Sequence, residues 1–189
     1  MHSLLTVLFL FFSGCTAKQA LQDEGLQSLR QPPLPLHAAK MAIHIQREKD
    51  CRKDAVVLNP SPAVMVTQWI QDRFYAKGKS GTFVFVIEDA SITEETPTLQ
   101  KTGFLQSEKI VYRANIRLGL YQQKTNEGQG GNAKGGTLCF RVETQQTVSN
   151  ALNVYERQAL CVHLIEKALD RLDTNLTHAL LERKPLAIV

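Results

Sequence analysis

The stretch KIVYRANIRLGL, residues 109–120, decides the fold class. Ile110, Tyr112, Ala114, Ile116, Leu118 and Leu120 alternate with Lys109, Val111, Arg113, Asn115, Arg117 and Gly119. A period of two with one apolar set predicts a strand that buries one face and leaves the other to water. Downstream, Leu138, Phe140, Val142 and Val148 interleave with Cys139, Arg141, Glu143 and Thr147, which predicts an antiparallel neighbour reached through a loop over residues 122–136. Upstream, residues 82–93 read TFVFVIEDASIT. Their aromatic and β-branched first half predicts a strand covered on nearly both faces.

Two helices flank these strands. Between residues 63 and 77, Val66, Trp69, Ile70 and Phe74 recur at spacings of three and four, with Pro62 suited to the first turn and Gly78 to the exit. Asn153 with Glu156 three residues on forms a capping-box-like start for a second helix running to about residue 183, before Pro185. Its expected apolar stripe is Tyr155, Ala159, Val162, Ile165, Leu169, Leu172, Leu176 and Leu180. A short alternating run at residues 41–45 supplies a first strand. The class is therefore α+β, in the order β-α-β-β-β-α. A four-stranded mixed sheet carries both helices on one face, and the first helix joins parallel neighbours. The opposite face presents Lys109, Arg113, Arg117 and Arg141 with Glu143, the candidate partner-binding surface.

The chain has 189 residues, 43% hydrophobic and 21% charged, which suits one packed domain and excludes both wholesale disorder and a polytopic membrane protein. Its formal charge of +4 comes from Lys and Arg scattered among acids, so a nucleic-acid partner is not expected. Residues 4–12, LLTVLFLFF, match the apolar core of a signal peptide and fall short of the roughly 20 residues a spanning helix needs. Phe12-Ser13-Gly14-Cys15 follows at once and resembles the lipobox of bacterial lipoproteins, in which the cysteine is lipidated and becomes the new N-terminus. The alternatives are an ordinary secretory leader with a chance cysteine, or an uncleaved anchor. Residues 1–14 are thus expected to be a signal peptide, residues 15–38 a lipidated N-terminus and Pro-containing tether, and residues 39–189 one domain. Several acyl chains would hold such a protein stably on a membrane.

The remaining chemistry is sparse. The glycine-rich run GQGGNAKGG, residues 128–136, joins two strands and lacks the Lys-Ser/Thr ending of a phosphate loop, so it is expected to be a flexible hairpin loop. Beyond Cys15, Cys51, Cys139 and Cys161 have no zinc or redox spacing, and Cys139 and Cys161 are expected on opposite sides of the sheet. His44, His163 and His178 lack metal-ligand spacing, and no cofactor is expected. Asp89 and Ser91 share a strand face and with His44 form the one hydrolase arrangement open to consideration, although strand-end hydrogen bonding is the expected role. Asn175-Leu176-Thr177 is a chance sequon within a helix.

Trp69, Asp72, Arg73, Gly78, Gly81, Phe85, Ile87, Asp89, Ala90, Ser91 and Glu94, with Tyr112 and Ala114, form a frame that resembles a group of small proteobacterial envelope lipoproteins. The resemblance covers about residues 37–181 together with the lipobox. At the level of element order the chain is also similar to the lipopolysaccharide-assembly lipoprotein, the curli secretion lipoprotein and auxiliary lipoproteins of lipid-transport systems. These likenesses imply a lipid-anchored, periplasm-facing protein, on the outer membrane because Thr16 stands where an inner-membrane retention Asp would. They imply a non-enzymatic binding or assembly component, contacting an envelope protein or anionic lipid. The alternative they carry is an auxiliary protein that binds or carries lipid or lipopolysaccharide.

Overall fold

The computed structural model describes residues 31–46, 56–96, 109–123, 134–149 and 152–182. The proposed leader, Cys15, Cys51 and the loop residues 124–133 lie outside the described residues. Strands β2 (Lys40–Ile45), β4 (Thr82–Glu95), β5 (Ile110–Gln123) and β6 (Lys134–Val148) form one sheet in the order β2-β4-β5-β6. The β2–β4 pair is parallel, and β4–β5 and β5–β6 are antiparallel. Helix α1 (Pro62–Arg73) lies between β2 and β4 in the chain, and α2 (Val154–Glu182) follows β6. Both helices join one core with the same sheet face, α1 over β4 and α2 over β5 and β6. The expected α+β mixed sheet is the one observed.

The alternation in β5 is realised residue by residue: all six of its predicted apolar positions are buried. In β4 the register shifts between Ile87 and Asp89. This bulge at Glu88 lets both Ile87 and Ala90 reach the core while Asp89, Ser91 and Thr93 fall on the opposite face with Val84 and Val86. Strict alternation through the segment would have placed one of those sets wrongly.

Two short strands were not foreseen. β1 (Leu34–Leu36) and β3 (Phe74–Ala76) form a separate parallel pair. The tether was expected to run to residue 38, yet Leu36 and Ala38 are fully buried and residues 34–38 belong to the folded unit. The prolines had masked them, because Pro35 reads as a linker residue although an edge strand tolerates it. Helix α1, expected to continue to residue 77, stops at Arg73. Phe74 leaves the helical conformation so that its ring packs on Trp69 and Phe85, with centroids 5.6 and 5.3 Å away. Gly78 therefore serves close approach and not helix exit: a Cβ there would stand 2.5 Å from the Ala38 backbone nitrogen.

Helix α1 starts at Ser61, whose hydroxyl accepts from the Val64 N–H, with Pro62 in the first turn. Helix α2 opens on the predicted reciprocal cap: Glu156 N–H donates to Asn153 Oδ1 at 2.9 Å, and Asn153 N–H donates to Glu156 Oε2 at 3.0 Å. The first half of its stripe needs correction. Leu160, Cys161 and Leu164 are buried, whereas Tyr155 is 83% exposed. Apolar residues occupy two faces in these turns, and contact with the sheet selects one. At 29 residues α2 is about 43 Å long. Among the described residues no helix is long and apolar enough to cross a membrane.

The two helices are fastened by an ion pair inside the core. Arg73 Nε lies 2.6 Å from Asp173 Oδ1, and Arg73 Nη2 donates to Asp173 Oδ2 at 3.3 Å. The same guanidinium also donates to the Pro32 carbonyl, the Gln31 side chain and the Thr177 hydroxyl. Arg73 therefore binds α1, α2 and the segment entering β1 through one planar group, a task suited to its fork of donors.

Candidate functional site

The sheet face turned away from the helices carries the candidate surface. Because β4, β5 and β6 pair in register, Asp89, Arg117 and Arg141 form one row across three strands. Thr93, Arg113 and Gln145 form another, two steps along. Between them lies the row Ser91, Asn115, Glu143. Asp89, Glu95 and Glu143 with Arg113, Arg117 and Arg141 line a depression of about 250 Å³, completed by Thr93 and Asn115.

The predicted basic face is therefore a mixed one. Arg113 Nε lies 3.3 Å from Glu95 and its Nη1 donates to Glu143 at 3.1 Å. Arg117 lies 3.5 Å from Asp89. Arg141, 70% exposed, approaches Glu143 only to 4.0 Å. Three arginines stand against three carboxylates, and the sequence alone hid this because Asp89 and Glu95 come from a strand whose bulge sets their side. Each such pair is worth up to about 1 kcal/mol in water, so the network is easily opened by a competing ligand. A ligand carrying both signs of charge fits it better than a simple polyanion. Of the four predicted cations, Arg113, Arg117 and Arg141 meet here. Lys109 is exposed just ahead of β5, outside the depression.

A second depression, of about 440 Å³, lies between the β6 rim and α2, lined by Arg141, Val142, Glu143, Arg171, Thr174 and Asn175. Arg171 reaches across it to donate to the Glu143 carbonyl at 3.2 Å.

The other chemistry-bearing residues are dispersed. His44 pairs with Val86, five residues from Ser91, so about 15 Å separates the two along β4, far beyond hydrogen-bond reach. The hydrolase arrangement of Asp89, Ser91 and His44 is thus not assembled. Among the described residues no three His, Cys, Asp or Glu side chains gather as a metal site. Cys139 is exposed opposite Gly119, and Cys161 is buried against the core face of the sheet. Burial pushes the Cys161 thiol up to about 11, against an opposing effect of Arg157. Tyr112 is raised by burial and by Glu94, which accepts its hydrogen bond. Arg157 in turn stands 3.5 Å from Glu94.

The buried pair Arg73–Asp173 was missed by sequence reasoning. Its signal was present: Asp173 interrupts the stripe between Leu172 and Leu176, and Arg73 follows Trp69 by four residues and Ile70 by three, on the apolar face of α1.

No family model and no curated protein sequence matches the chain. Among solved structures, a minor lipoprotein of Acinetobacter baumannii is similar at 12% identity and a TM-score of 0.39, covering 82% of this chain and 97% of its own. A DUF330 protein of Xanthomonas campestris gives 12% identity and a TM-score of 0.42, with 77% and 83% covered. Rare lipoprotein B of Shewanella oneidensis gives 9% and 0.38, with 77% and 96% covered. These structural neighbours are proteobacterial proteins, two of them named as lipoproteins.

Proposed function

We propose that this chain is an envelope lipoprotein, held on the periplasmic side of a membrane by lipid on Cys15, that acts as a binding or assembly component and not as an enzyme. The outer membrane is the preferred location. The observation that carries the binding role is the charged depression on the free sheet face. Six ionisable side chains from three strands converge there on a rigid platform, ready to exchange weak internal pairs for pairs with a partner. Support for the anchor comes from the apolar run at residues 4–12 ending in Phe12-Ser13-Gly14-Cys15.

Two experiments test the two parts. Metabolic labelling with a palmitate analogue should mark the wild type and not Cys15→Ala; a labelled variant refutes the anchor. For the surface, a photoreactive residue is placed at Arg117 and, as a control on the helical side, at Tyr155. A discrete adduct in living cells from Arg117 alone supports the reading, and equal products from both positions, or none from Arg117, refute it.

A further inference from the structure

Strand β6 forms one rim of the sheet, and among the described residues no strand pairs with its outer side. Arg171 donates to the Glu143 carbonyl, so Glu143 turns its backbone groups away from β5. Antiparallel ladders alternate, so Thr137, Cys139, Arg141, Gln145 and Thr147 turn theirs outward too. The register with β5 is unbroken across residues 137–148, which leaves a long, regular rim of the kind that templates another strand.

The charges on this rim ask for a particular occupant. Arg141 stands directly opposite Arg117 in the ladder, an unfavourable like-charge pair. Glu143 sits two residues along the same strand, 4.0 Å from Arg141, and makes its shorter contact, 3.1 Å, with Arg113. Arg141 would therefore gain from a carboxylate supplied across the open edge.

We propose that β6 pairs with the β6 strand of a second copy, antiparallel about a two-fold axis at Val142. This register sets Arg141 opposite the partner subunit's Glu143, and by symmetry repeats that pair. It sets Cys139 opposite the partner subunit's Gln145. It also places Arg141 and Glu143 in a hydrogen-bonded pair of the ladder, as their outward backbone groups require. Strands spaced about 4.8 Å apart bring the two α2 helices, each lying over β5 and β6, to roughly 10 Å, an ordinary helix-packing distance. Arg171 must release the Glu143 carbonyl as the strands join, so it competes with pairing and keeps the association reversible. The pairing shares Arg141 and Glu143 with the charged depression, but the cross-link between residues 139 and 145 reports strand pairing whatever the depression binds.

The test uses the full chain in mild detergent and a short bismaleimide, with cross-linked peptides identified by mass spectrometry. Gln145→Cys should link to native Cys139 between chains, since within one strand those positions are about 20 Å apart. Thr137→Cys, roughly 26 Å from the partner subunit's Cys139 in this register, should give no inter-chain link to it. In the Gln145→Cys chain, Arg141→Glu should cut the yield by about tenfold, and adding Glu143→Arg should restore it. Absence of the 139–145 inter-chain peptide, equal yields from both cysteine positions, or a yield indifferent to Arg141→Glu overturns the proposal.

Discussion

Replacing Asp173 by alanine is the most informative perturbation of this fold. Both members of the Arg73–Asp173 pair are almost wholly buried, 3% and 2% exposed, so removal of the carboxylate strands a guanidinium inside the core. Breaking a buried pair from one side costs about 3 to 5 kcal/mol. Here the Pro32 carbonyl, Gln31 and Thr177 still accept from Arg73, which places the expected loss near the lower end, at about 3 kcal/mol. For a chain of this size each kcal/mol lowers Tm by about 2 to 4 °C, so a fall of roughly 10 °C is expected. Urea unfolding followed by the fluorescence of Trp69, the one tryptophan, reads the α1 packing directly. The double variant Arg73→Met with Asp173→Leu removes both charges and should return to within about 2 kcal/mol of the wild type. A loss below about 1 kcal/mol in Asp173→Ala would refute the claim that this pair is buried and joins the helices.

Gly78→Ala forces a Cβ against the Ala38 backbone and should separate β3 from β1 at a cost of about 1 to 3 kcal/mol, read by denaturant midpoint. Asn153→Ala removes one half of the reciprocal cap and should cost about 1 kcal/mol, with faster amide exchange confined to the first turn of α2. The thiol of Cys161 titrates higher folded than unfolded. Its neutral form is thus favoured by folding, and stability is full below the ordinary value of 9.0 and declines as pH rises toward about 11. Between about pH 8 and 10 the wild type should therefore lose roughly 1 kcal/mol more than Cys161→Ala, while Tyr112, raised mainly by burial and Glu94, adds a slope to both. Equal pH slopes would show that the Cys161 site is wetter than its burial states.

Local pattern alone determined a great deal. The six apolar positions of β5, the reciprocal cap of α2, and the Val66, Trp69 and Ile70 face of α1 each depend on residues within a few positions of one another, where strand or helix period fixes direction. Hence the α+β class and the mixed four-stranded sheet were legible in the sequence. Other features depend on partners far away in the chain. The PLPL segment became a strand because Phe74–Ala76 offered it an edge. Helix α1 ended early because the Phe74 ring found Trp69 and Phe85. The stripe of α2 was settled where two apolar faces competed for one sheet. The candidate surface shows the same division. Sequence period placed Arg113, Arg117 and Arg141 on one side, but a single inserted residue in β4 decided that Asp89 and Glu95 would stand beside them. Periodicity carries no information about such an insertion, because bulge position is set by how β4 must fit β5 and the core together.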